Sequence, residues 1–188
     1  MLRSKFTVKL SFMKIRLLKM LRVFQSPLSK SRGFVSAGAL KIPCSLGRTG
    51  TSVCKREGDG KTPRGMFALH QLWWRDDRVM HPVCGLKKRR IRARDGWCDD
   101  VNSPRYNKPV LRPFKFSHED MKRDDHIYDY VIEIGCNMQP VRRCRGSAIF
   151  LHLARDNFEP TAGCIAMPRA KITRFLALIG AKTRIRIH

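Results

Sequence analysis

Two side chains in the last quarter of the sequence could do covalent chemistry together, those of His152 and Cys164. His152 stands near the end of the apolar run Ala148 to Leu153, and Cys164 follows Thr161-Ala162-Gly163. A thiol is mostly protonated near neutral pH, so a nucleophilic cysteine needs a base or a cation beside it. An imidazole supplies that base and later returns the proton to a leaving amine. The excursion Ala154 to Thr161 can fold back and bring the two together. Gly163 lets the backbone approach closely, so N–H groups of Gly163 and Cys164 could hold an oxyanion. A His-paired thiol should titrate below the usual value of about 8.5 and be the first alkylated. Taken alone, the pair suits two core residues of a small domain equally well.

Other chemistries have less support. The seven cysteines, at 44, 54, 84, 98, 136, 144 and 164, form no Cys-x-x-Cys pair and have no His-x-x-x-His beside them. That argues against a structural zinc site, and no metal or cofactor is expected. His81 and Cys84 read as packing rather than ligation. Six structural cysteines and one chemical one is the expected division.

The charge is lopsided, with 39 Lys+Arg against 15 Asp+Glu and a net +24. Such a surface draws polyanions of any kind. No zinc finger, aromatic RNP motif or other nucleic-acid signature accompanies it, so a basic nucleic-acid or membrane binder is the remote alternative. Residues 1–32 hold nine Lys/Arg and no acid. Lys14, Arg16, Lys19 and Arg22 interrupt the apolar residues there, so no secretory h-region is readable. The segment is expected to be a basic extension, disordered or preceding the true start at Met13 or Met20. A peripheral contact with a membrane surface is the other reading. The domain itself is expected over residues 33–188, as a monomer.

The elements that must position the pair follow from pattern. Two short apolar runs flank the Gly38 region as a hairpin over Gly33 to Gly47. Gly58 to Gly65 is dense in turn residues, and Met66 to Leu69 follows as a strand. Lys87 to Arg94, with six cations in eight residues, belongs on a solvated loop or edge. Val131 to Ile134 and Ala148 to Leu153 read as buried strands. Pro168 opens a helix carrying Ile172, Phe175, Leu176 and Ile179, which Gly180 stops. Thr183 to Ile187 alternates as a closing strand. The expected fold is mainly β with one or two helices, without a doubly wound parallel sheet.

Several motifs, in order, resemble one family. His152 with Thr161-x-Gly163-Cys164 is similar to the signature of L,D-transpeptidases (YkuD-like), in which a His precedes a Ser/Thr-His-Gly-Cys element. Gly58-Asp59-Gly60-Lys61-Thr62-Pro63-x-Gly65-x-Phe67 resembles the run found upstream in that family. Gly96-Trp97-Cys98-Asp99-Asp100, Tyr106-Asn107 and Gly146 to His152 resemble a compact bacterial branch. The likeness spans Gly33 to His188.

The resemblance implies a β-sandwich-like domain and a cysteine acyltransferase acting on peptidoglycan stem peptides. Cys164 would attack the carbonyl before a terminal D-residue, and an amine of a second stem peptide would take the acyl group. The Leu153 carbonyl would orient His152. Hydrolysis on the same fold, by an L,D-carboxypeptidase or an amidase-type enzyme, is the alternative. The substrate implies the periplasm or cell envelope, while the unreadable export signal leaves the cytoplasm open. Two positions depart from the family. Its second His is Ala162 here, and its Arg two places after the Cys is Ala166. Arg169 is the candidate for a substitute cation, against the plainer reading of an exposed helix charge. Trp97, Asp99, Asp100 and Tyr106 are expected along the donor groove, with Asn102 beside them; loop capping by Asp99 and Asp100 is the duller alternative. Trp73 and Trp74 should pack with one ring exposed, and Asp59 should hold its own turn.

Overall fold

A computed structural model describes residues 16–188. Strands β1 (Met20–Ser26), β2 (Ser29–Ala37) and β3 (Leu40–Ser45) form an antiparallel meander. The two-residue turn Gly38-Ala39 joins the last two, with Gly38 at φ +63°, a conformation that glycine adopts without strain. A short parallel pair, β4 (Thr51–Ser52) and β5 (Thr62–Pro63), precedes the long β6 (Gly65–Trp74) and β7 (Lys87–Arg90). Then come β8 (Asp95–Cys98), β9 (Pro109–Leu111) and β10 (His118–Asp120), a separate sheet in the order β10-β8-β9. The chain closes with β11 (Tyr130–Ile134), β12 (Phe150–Leu153), β13 (Ile165–Met167), helix α1 (Arg169–Leu176) and β14 (Arg184–Ile187).

The large sheet runs β11-β12-β13-β3-β2-β1-β14-β6-β7, and β11 also pairs with β6. The strand order therefore returns on itself, with β7 as the remaining edge. This is the mainly β, sandwich-like architecture expected from the sequence. Antiparallel pairing dominates, but β1–β14, β6–β7 and β12–β13 pair in parallel. Cations on β7 suit an edge strand, because like charges discourage pairing with another chain.

Period-two alternation divides the interior into two cores. Leu72, Ile132, Leu151, Leu153, Ile165 and Met167 face the larger one, with Phe175 of α1. Trp73, Val131, Phe150 and Cys164 face a second core with Trp97 and Tyr128. Strands buried on both faces read as continuous apolar runs, which is why β11 and β12 are visible in the sequence. α1 buries Ile172, Phe175 and Leu176. It ends before Ile179, which is buried in the turn beyond it.

Two expectations need correction. The boundary at residue 32 falls inside β2, and β1 lies wholly on its N-terminal side, between β2 and β14. Leu21 and Val23 point inward while Arg22 between them is exposed. The cation that interrupts an apolar run is thus the outer face of a strand. Leu18 is tied down too, donating its N–H to Leu178 O at 2.8 Å. The signal-peptide and membrane-contact readings of residues 1–15 lie outside the described residues. Trp73 and Trp74 are both buried, on opposite sides of β6, so neither ring is exposed. Trp73 gives its indole N–H to the buried Glu133. Among the described residues no helix is long and apolar enough to cross a membrane.

Candidate active site

The parallel pair β12–β13 sets Leu151 opposite Ile165 and His152 opposite Ala166. Phe150, His152, Cys164 and Ala166 consequently lie on the sheet face turned away from the larger core. The loop leading to Cys164 is pinned to the end of β3. Thr161 N–H donates to Leu46 O, and Arg48 N–H donates to Thr161 O, both at 2.9 Å. Thr161 Oγ1 then donates to Cys164 O at 2.7 Å and accepts the Gly163 N–H at 3.1 Å. Gly163 stands at φ +146°, and a Cβ there would meet Lys61 O at 2.8 Å. Only glycine fits that close approach.

The Gly58 to Gly65 motif supplies the surface against which this loop packs. Asp59 does hold its own turn, accepting the N–H groups of Arg56 and Lys61 at 2.8 and 2.9 Å. It also pairs with the buried Lys55. Thr62 Oγ1 accepts the Gly47 N–H at 2.8 Å, tying the motif to the same β3 end.

His152 is 6% exposed, and its Nδ1 lies 2.8 Å from Leu153 O. A carbonyl only accepts, so Nδ1 carries the proton and Nε2 keeps its lone pair. Cys164 is 8% exposed; its thiol is 3.2 Å from Ala148 O, to which it donates, and its sulfur accepts Phe150 N–H at 3.4 Å. Burial pushes the Cys164 thiol up to about 12, the Glu119 charge adds to this, and the Phe150 N–H opposes it. Burial pushes His152 down to about 4 against the opposing Leu153 bond. The resting pair is therefore thiol and neutral imidazole. Burial thus favours thiol over thiolate and imidazole over imidazolium, the opposite direction to the lowered thiol pKa expected from the sequence.

A cavity of about 190 Å³ has His152, Cys164, Ala162 and Ala166 in its wall. Arg123, Tyr128 and Glu119 line it too. A second hollow of about 140 Å³ reaches Cys164 from the other side, past Gly163, Glu57 and Asp99. Glu119 borders both; burial raises its pKa, opposed by the hydrogen bond from Tyr128. Tyr128 also meets the His152 ring edge-on, at 5.3 Å between centroids. Among the described residues no His/Cys/Asp/Glu group could hold a metal ion.

The structure gathers some expected residues and scatters others. His152, Leu153 and Cys164 come together; Gly163 joins them, though its N–H is already given to Thr161. Asp99 reaches the smaller hollow. Trp97 does not line a groove: it is buried behind the thiol, giving its indole N–H to Asn107 Oδ1 at 3.0 Å. Tyr106 is buried as well, its hydroxyl bound to Glu57. Asp100 caps its loop, accepting the Asn102 N–H at 2.8 Å. Arg169 is held by Asp129 at 2.6 Å in a different cleft, so it does not replace the cation missing at Ala166. Its position at the start of α1 turns it away from the thiol. Arg123, Glu119, Glu57 and Tyr128 were missed, since they lie on separate short segments with no shared spacing. Asn107 stood in a motif but gave no local sign of its role.

All seven cysteines are free; Cys54 and Cys144 are exposed. A family model described as the L,D-transpeptidase catalytic domain (YkuD) matches residues 33–187. No curated protein and no solved structure matches the chain.

Proposed function

The chain belongs to the L,D-transpeptidase catalytic-domain (YkuD) family, and from that membership we propose that it is a peptidoglycan L,D-transpeptidase working through a Cys164 acyl-enzyme. The observation that carries the reading is one cavity wall shared by Cys164 and a His152 whose Nδ1 is occupied by Leu153 O. That leaves Nε2 as the base.

The thiol turns from Ala148 O towards His152. Sulfur attacks the carbonyl between an L-centre and the terminal D-residue while Nε2 takes the thiol proton. Because both groups rest neutral, proton transfer accompanies attack instead of preceding it. The Cys164 N–H holds the oxyanion. The imidazolium gives its proton to the leaving nitrogen, releasing the D-residue and a thioester. An amine of a second stem peptide then attacks the thioester, His152 takes its proton, and sulfur leaves to regain it. A substrate of this kind puts the enzyme at the cell envelope. Water in place of the amine would make the same site a carboxypeptidase.

Incubation with disaccharide-tetrapeptides, followed by mass analysis, tests the reading. Cross-linked dimers and a released D-residue are expected from the wild type and neither from Cys164→Ala, which should melt close to the wild type. Tripeptide without dimers would assign the hydrolase instead. Product formation by Cys164→Ala would remove Cys164 as nucleophile.

A further inference from the structure

We propose that Arg123 is the carboxylate-reading residue of the active-site cavity, binding the free α-carboxylate of the terminal D-residue that the thiol displaces. The proposal rests on the function just given and names how its donor is recognised. Ala162 and Ala166 leave the wall beside Cys164 small and uncharged. The cations of this cavity come from elsewhere in the chain, Arg123 after β10 and Arg155 after β12.

Arg123 is held in place before any ligand arrives. Its Nε and Nη2 donate to the two oxygens of Asp125 at 2.9 and 3.0 Å, and its guanidinium lies 5.3 Å from the Tyr128 ring centroid. Tyr128 in turn abuts His152. Nη1 makes no hydrogen bond among the described residues, so one side of the fork remains to donate. Arg155 is held less firmly, and its Nη1 likewise makes no hydrogen bond among the described residues. Its Nη2 reaches Asp125 at 3.3 Å and its Nε stands 3.4 Å from Glu159, with the side chain 48% exposed against 32% for Arg123. Asp125 thus braces both guanidiniums, and Arg123, gripped by both of its oxygens and packed on the ring that abuts His152, is the one fixed in place beside the imidazole.

Two carboxylates oppose an incoming anion. Glu159 sits at the exposed rim with Arg155. Glu119 is buried with the Tyr128 hydroxyl bound to it, and burial favours its neutral form. The α-carboxylate of the displaced residue lies one residue from the scissile carbonyl, about 3.5 Å along the chain. A cation on the same cavity wall as the nucleophile is where such a group would arrive. A charge-assisted hydrogen bond there discriminates strongly against a neutral isostere.

Two donor tetrapeptides, identical except for a C-terminal carboxylate or carboxamide, test this. The readout is kcat/KM for release of the terminal residue. The wild type should prefer the carboxylate about 10- to 100-fold, the worth of one hydrogen bond to a charged group. Arg123→Gln should lose that preference by slowing the carboxylate donor alone. Arg123→Lys should recover part of it, because it keeps the charge but not the fork. Should Arg123→Gln melt early, the Arg123→Lys preference decides: a value at the wild-type level, like equal slowing of both donors by Arg123→Gln, overturns the proposal. Equal turnover of the two donors by the wild type also overturns it while leaving the transpeptidase reading standing. Release of neither donor by the wild type sinks that reading and this proposal together.

Discussion

Asn107 Oδ1 accepts the Ala148 N–H at 3.0 Å, and the carbonyl of the same Ala148 receives the Cys164 thiol at 3.2 Å. One buried amide thereby sets the backbone on which the nucleophile rests. The same oxygen takes the Trp97 indole N–H, and Asn107 Nδ2 donates to Cys136 O and Asn137 O at 3.2 and 2.8 Å. Every polar valence of the side chain is used. A satisfied buried network of this kind is stiff, and it is costly to break.

Asn107→Ala should therefore destabilise the domain by about 2–4 kcal/mol, since two donors and two carbonyls lose their partner in the interior. In a domain of this size that lowers the melting temperature by roughly 5–15 °C. Calorimetry reads the shift directly. A variant melting with the wild type would show that the four groups find other partners.

The depressed pKa of His152 makes a signed prediction about acid. Its folded value of about 4 lies below the model-compound 6.5, so the unfolded chain binds the proton first. Its contribution to stability is full above about pH 6.5 and is lost as the pH falls towards 4, on the order of 3 kcal/mol in total. His152→Gln has no such proton to bind. Urea unfolding should accordingly show the wild type losing ground to the variant across that window. The acid limb of kcat/KM should likewise fall near pH 4. A limb at the value of a free imidazole would contradict the burial on which both expectations depend.

Alkylation should run in an order opposite to that suggested by a bare Cys–His pairing. Cys54 and Cys144 are exposed, whereas Cys164 is buried with its thiol pushed up to about 12. At neutral pH iodoacetamide should modify Cys54 and Cys144 first. Cys164 should lag with Cys44 and Cys136, whose thiols burial raises to about 12 and about 11. Peptide mapping over time separates the sites. Selective labelling of Cys164 at about pH 6 would instead establish a thiolate–imidazolium pair.

The sequence by itself determined the parts whose physics is local. Strands buried on both faces show as unbroken apolar runs, so β11 and β12 were legible, and with them the placement of His152 near a strand end. The Gly38 turn, the helix after Pro168 and the Asp59 turn were legible because each rests on backbone preferences a few residues long. The spaced motifs were enough for the family. β1 was lost because Arg22 between Leu21 and Val23 looks like an interruption until a partner strand gives the alternation a face.

Tertiary structure alone decided what surrounds the thiol. Trp97 and Tyr106 carry ring and polar atoms suited to a groove, yet the β8–β10 sheet folds over and buries them. Arg169 is near Cys164 in sequence and is turned into another cleft by Asp129, while the distant Arg123 is brought to the cavity by the segment between β10 and β11. The protonation state followed the same rule. A Cys and a His at this spacing suggest an ion pair, but desolvation by walls from separate strands and loops favours the neutral form of each. Burial is a sum over contacts far apart in the chain, and no local pattern contains it.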